Sequence, residues 1–127
     1  MDDAIRRALE TDRLIDITTT GRQSGQPRRI EIGVYYLDGQ LYLTGSPGRR
    51  NWLANLTANP RLTVHLKQSI KTDLPAVATP ISDVASRREV FSKMAARRPA
   101  GRPMDLEAWV ARSPLVRVDF QATAAPG

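Results

Sequence analysis

The sequence has no cysteine, one histidine and only three lysines among its 127 residues. Lack of thiols excludes disulfides, thiol catalysis and thiolate metal sites. With His65 as the sole imidazole, a metal centre would have to be built from carboxylates. Those carboxylates are scattered and fall mostly on polar faces, so no metal site is expected. No pair of them marks a cleft, which leaves glycosidase and aspartic chemistry unsupported. Ser24 and Ser46 have no partner base, so the Ser-His-Asp constellation is missing too. If the chain is an enzyme, a bound cofactor must carry the reaction, and no residue is singled out as catalytic.

Aromatic residues make up only 6%. Nucleic-acid binders usually display stacking aromatics along a basic face, whereas Trp52, Phe91 and Trp109 all fall on apolar stripes. Nucleic acid is therefore not the expected partner. No apolar run approaches the roughly 20 residues of a membrane span. The beginning, Met1-Asp-Asp-Ala-Ile-Arg-Arg, carries no apolar h-region, and a cytoplasmic location is the default expectation.

What the chain does have is positive charge. Nineteen Lys and Arg against 13 Asp and Glu give +6, nearly all of it from arginine. Arginine is the better residue for a bidentate grip on phosphate or carboxylate, so an anionic ligand is favoured. Length and composition suit a single domain over 1–127.

The hydrophobic pattern predicts a short helix at 4–12 within an N-terminal 1–13 segment, with Ile5, Ala8 and Leu9 on one side. From Leu14 the period becomes two, giving a strand with Ile15, Ile17 and Thr19 on one face. A longer strand follows the turn at 21–27, with Arg28, Ile30, Ile32, Val34 and Tyr36 sharing a face. Asp38-Gly39 is a strong hairpin signal and leads into a third strand, Gln40 to Gly45. Asn51 reads as the N-cap of a helix at 52–58, and Pro60 stops it. A fourth strand runs from Arg61 to Lys67, with Leu62, Val64 and Leu66 inward. His65 accordingly faces outward and reads as a surface or interface residue. Residues 72–81 suggest a fifth strand at a sheet edge, because Pro75 and Pro80 cannot donate to a ladder.

Ser82 is placed as the cap of a helix reaching about Arg98, with Val84, Phe91, Met94 and Ala95 toward the core. Asp105 opens a short helix presenting Leu106, Trp109 and Val110. Leu115 to Phe120 is the last strand, and 121–127 reads as a disordered tail. Mainly β content with helices in the crossovers suggests a small antiparallel barrel of α+β class.

Two polar, punctuated segments stand out. Thr18-Thr-Thr-Gly21-Arg-Gln-Ser-Gly25-Gln-Pro-Arg28 is a strand ending in a glycine-bounded cationic turn. The second, Thr44-Gly-Ser-Pro-Gly-Arg49-Arg-Asn-Trp52, leads into a helix whose first amides are unsatisfied and partly positive. Two guanidiniums beside a helix N-terminus suit a phosphate. Trp52 fits either a core anchor or one wall of a ring-binding pocket. Asn55 is polar on a packed helix and suggests a specific hydrogen bond.

Taken in order, Thr18 to Arg28, Asp38-Gly39, Ser46 and Trp52-Leu-Ala-Asn55-Leu-Thr-Ala-Asn-Pro60 resemble the deazaflavin-dependent nitroreductase family. That family sits within the split β-barrel flavin and deazaflavin reductases. The resemblance covers roughly residues 14–67. It implies a split antiparallel barrel of the FMN/F420-binding type and hydride transfer from the reduced deazaflavin coenzyme F420 to an organic small-molecule acceptor. It further implies that Arg22, Gln23, Ser24 and Arg28 meet the coenzyme's phosphate and tail. Thr44, Ser46, Arg49 and Arg50 would line ring and phosphate, with Trp52 and Asn55 closing the pocket.

This sequence departs from the family pattern in three places. Gln23 stands where a basic residue is usual, Ser46-Pro47-Gly48 replaces Ser-Lys-Gly, and no tyrosine follows Tyr42. The alternatives are an FMN-binding split-barrel reductase or oxidase, or a non-catalytic cofactor-binding protein. Split barrels often dimerise, so a homodimer through the His65 face or another barrel face is a further expectation.

Overall fold

The computed structural model describes residues 1–121, and the tail expected at 122–127 lies outside the described residues. Ten elements follow one another: α1 (Asp3–Thr11), β1 (Leu14–Thr20), β2 (Pro27–Leu37), β3 (Gln40–Thr44), α2 (Asn51–Ala58), β4 (Arg61–Leu66), β5 (Thr72–Pro80), α3 (Val84–Arg97), α4 (Leu106–Arg112) and β6 (Leu115–Phe120). The six strands close an antiparallel barrel in the order β1-β2-β3-β6-β5-β4. The expected split-barrel class is therefore what the chain adopts.

Period-two alternation builds the interior. Ile15 and Ile17 of β1, Leu41 and Leu43 of β3, and Leu62, Val64 and Leu66 of β4 point inward with Val116 and Val118 of β6. Asp38 and Gly39 both take positive φ, 52° and 77°, as a two-residue hairpin requires, and this sets the β2–β3 register from Leu37↔Gln40 to Val34↔Leu43. Ala8 and Leu9 of α1, with Trp52 and Leu56 of α2, complete the same core.

A second, smaller core lies between the barrel wall and the α3–α4 pair. It contains Leu37, Phe91, Met94, Val110 and Leu115, and Phe91 meets Trp109 edge-on with ring centroids 5.9 Å apart. Arg87 joins the two helices. Its guanidinium donates to the carbonyls of Trp109, Val110 and Ser113 at the end of α4 and to that of Ile81. A cation at a helix C-terminus satisfies carbonyls that lack intrahelical partners.

Five expectations need correction. Strand β5 is not an edge: it pairs with β4 and with β6. Its prolines are tolerated because both lie at the ends of the β6 ladder, although Pro75 pairs with Thr63 within the β4 ladder. Pro75 faces the final rung, where its carbonyl accepts from Gln121 just beyond β6. Ile81 donates to Leu115 on β6, so the nitrogen of Pro80 turns the other way, past the start of β4 at Arg61. The cap of α2 is Arg50, without a side-chain hydrogen bond, and Asn51 is the first helical residue. The cap of α3 is Asp83 rather than Ser82, its carboxylate accepting from the Ser86 amide. Val84 therefore sits in the first turn and is 62% exposed, away from the core.

His65 does face outward, but it is buried at 7% exposure. Its Nε2 lies 2.7 Å from Thr18 Oγ1 and its Nδ1 2.6 Å from Asp73 Oδ1. Neighbouring outer-face residues reinforce the cover. Lys67 Nζ donates to Asp16 Oδ1 at 2.6 Å and also bonds Glu31, while Arg29 reaches Asp16 at 3.0 Å. The Asp16 carboxyl is held below its ordinary range chiefly by the Lys67 hydrogen bond, against the opposing effect of its burial.

A cationic cavity at the end of the first strand

The turn between β1 and β2 is a small closed ring of hydrogen bonds. Gly21 donates to the Gln26 carbonyl at 2.8 Å, Gly25 donates to Gly21 at 2.9 Å, and the Gln26 amide reaches Ser24 Oγ at 3.1 Å. Gly25 needs its positive φ of 70°. At Gly21 the constraint is space: a Cβ there would stand 2.5 Å from Ser24 Oγ and 3.3 Å from the Gln26 carbonyl oxygen.

Helix α2 holds this turn from the other side. Asn55, 6% exposed, accepts from the Arg22 backbone amide at 3.1 Å and approaches Arg22 Nη1 at 3.4 Å. Its amide nitrogen donates to Thr19 Oγ1 at 3.2 Å. Thr19 is itself buried at 3%. One asparagine thus ties the last inward position of β1, the Arg22 backbone and α2 together.

Between turn and helix lies a cavity of about 520 Å³, lined by Arg22, Gln23, Ser24, Arg28, Trp52 and Asn55 among others. No Asp, Glu or His lines it. Arg22 and Arg28 are exposed and have no carboxylate within salt-bridge distance among the described residues. Two guanidiniums without a carboxylate partner thus stand beside the first turn of α2, an arrangement suited to an anion.

The other four expected residues are placed elsewhere. Thr44 is buried at 6%, and its hydroxyl donates to the Pro114 carbonyl at 2.6 Å. Arg50 folds back on its own loop, with Nη2 2.9 Å from the Ser46 carbonyl and 3.3 Å from Ser46 Oγ. Arg49 and Arg50 flank a shallow outer patch on α2 with Leu53 and Thr57. Sequence reasoning missed Thr19, Gly21, Ile30 and Asn51, which also line the main cavity. A signal for Thr19 existed: it is the one hydroxyl on the otherwise apolar inner face of β1.

Comparison with known proteins identifies the family. The family model described as F420H(2)-dependent quinone reductase matches residues 2–121. The chain belongs to that family. The match extends well past the 14–67 segment that carried the sequence resemblance.

Solved structures give the same fold at low identity. A conserved hypothetical protein from Mycobacterium tuberculosis superposes with a TM-score of 0.71 at 19% identity, covering 96% of this chain and 82% of that one. For a FAD-binding protein from Mesorhizobium loti the values are 0.64 and 18%, with 96% and 91% covered. General Stress Protein 26 from Bacillus anthracis gives 0.65 and 15%, with 93% and 87% covered. As a member of the quinone reductase family, the chain is related to oxidoreductases. No helix among the described residues is long and apolar enough to cross a membrane.

Proposed function

We propose that this chain binds coenzyme F420 in the cavity between the 21–28 turn and α2, and that it reduces an organic acceptor at the expense of the reduced coenzyme. The observation that carries the reading is the Asn55 clamp, which fixes an arginine-bearing turn against α2, in a chain whose family is named for F420H2 dependence. The residues fit the group. Arg22 and Arg28 supply cations for its phosphodiester, and a Cβ at Gly21 would press on Ser24 Oγ and disturb the turn that carries Arg22. The bound coenzyme would supply a hydride from C5 of its reduced deazaflavin ring. The chain's own part is binding, orientation and electrostatics, consistent with a cavity lined by no acid or base.

Gln23 stands at the mouth without a charge, so the grip on phosphate rests on Arg22 and Arg28. With Arg49 and Arg50 turned onto the outer patch, those two belong to the reading only if the 45–50 loop re-forms around the ligand. A flavin mononucleotide is the second reading, favoured by the shared fold with a FAD-binding protein. Fluorescence titration with F420, with its phosphate-free deazaflavin fragment and with FMN tests both. The proposal expects F420 to bind best and Arg28→Ala to weaken it about tenfold or more, the value of one charged hydrogen bond. FMN binding with no F420 binding would overturn it.

A further inference from the structure

A second cavity, of about 530 Å³, opens between the outer wall of β2–β3 and the α3–α4 connection. Its walls come from five separate stretches of chain. Arg13, Arg97, Arg98 and Arg102 converge on it, and no Asp or Glu lines it. None of the four has a carboxylate within salt-bridge distance among the described residues, whereas Arg6, Arg29, Arg88 and Arg117 all do.

Arg98 is built in rather than dangling. Its Nε donates to the Arg102 carbonyl at 2.8 Å, its Nη1 to the Tyr35 hydroxyl at 3.1 Å, and its guanidinium lies 5.4 Å from the centroid of the Trp109 ring. Those contacts leave Nη2 without a protein acceptor among the described residues. A guanidinium fixed on an aromatic face, with donors to spare, is arranged to take a carboxylate. The floor is glycine: a Cβ at Gly33 would meet only the Arg13 carbonyl, at 3.8 Å, so the space above it is open. At the other rim are Thr44 and Gly45, directly before the Ser46 loop that runs to α2.

We infer that this second cavity binds a planar, ring-bearing organic acid, its carboxylate held by Arg98 and Arg102 and its ring over the open backbone at Gly33. The inference stands apart from the proposed function, which concerns the cavity beside the 21–28 turn.

Calorimetric titration of the full chain with 2-naphthoate and with the neutral 2-naphthamide tests it. The acid should bind at least about tenfold tighter than the amide, since one charge-assisted pair separates them. Arg102→Gln should remove most of that preference, and Gly33→Leu, which fills the floor while all four arginines are kept, should abolish binding of both. In Arg102→Gln the affinity for F420 should stay as in the parent, whereas Arg28→Ala should lose F420 and keep naphthoate. Equal affinity for acid and amide, or no saturable binding of the acid, overturns the inference. So does an Arg102→Gln variant that loses F420, which would assign these arginines to the coenzyme's own anionic tail. Naphthoate binding in a chain that fails to bind F420 would sustain the acid site while the proposed function falls.

Discussion

Replacing Asn55 by alanine is the sharpest perturbation of the main cavity, because three separate contacts end on one small side chain. The variant strands the Thr19 hydroxyl, which is only 3% exposed, and leaves the Arg22 amide without its acceptor. Each buried group left unpaired costs about 1–3 kcal/mol. The Arg22 Nη1 contact, at 3.4 Å and near the surface, adds little. A total loss of about 2–4 kcal/mol is expected. For 127 residues, at roughly 2.1 cal/mol/K of unfolding entropy per residue, each kcal/mol moves the midpoint by about 4 °C. Differential scanning calorimetry should therefore show Asn55→Ala melting about 7–15 °C below the parent. Asn55→Asp keeps an acceptor for the Arg22 amide and offers Thr19 a new one, so its midpoint should lie closer to the parent. The added charge beside Arg22 and Arg28 should nonetheless weaken an anionic ligand strongly. A midpoint for Asn55→Ala within 2 °C or so of the parent would refute the clamp.

Other outcomes follow from the same geometry. Gly21→Ala should lower affinity for the coenzyme, because the new methyl presses on Ser24 Oγ at 2.5 Å; in Gly21→Ala with Ser24→Ala the relief of that contact should restore part of it, as read by titration. Asp16, only 18% exposed, has its carboxyl lowered by Lys67 and Arg29. A lowered folded-state value means stability present above the ordinary 3.8 and lost as pH falls through the folded value. Asp16→Asn should thus melt below the parent at neutral pH, with the gap closing under acid, and a gap independent of pH would contradict the network.

Much of this fold was legible locally, and the errors share a cause. Asp38-Gly39 forces its own hairpin whatever surrounds it, so the β2–β3 pairing could be read directly. The proline rule at Pro75 and Pro80 is equally local, yet whether β5 has two neighbours depends on barrel closure, which joins β1 to β4 and β3 to β6 across the chain. Alternation put His65 on the outer face correctly. It could not show that Thr18 and Asp73 arrive from two other strands to cover the ring.

The cavity divides in the same way. Arg22 to Arg28 lie in one turn and Trp52 and Asn55 on one helix, so two contiguous motifs reveal six lining residues. The family resemblance groups Thr44, Ser46, Arg49 and Arg50 with them. Side-chain bonds to Pro114 and within the 45–50 loop direct Thr44, Ser46 and Arg50 elsewhere, and Arg49 lies on the outer patch. Nothing contiguous announces the arginines of the second cavity, since Arg13 and Arg98 are brought together only by the packing of α3–α4 on β2.

A structure of the chain crystallised with F420 tests the central claim most directly. The account predicts the coenzyme's phosphodiester within hydrogen-bonding distance of Arg22 or Arg28, with Asn55 still joined to Thr19 and the Arg22 amide. A coenzyme whose phosphate lies among Arg13, Arg98 and Arg102, leaving the turn at 21–28 empty, would contradict it.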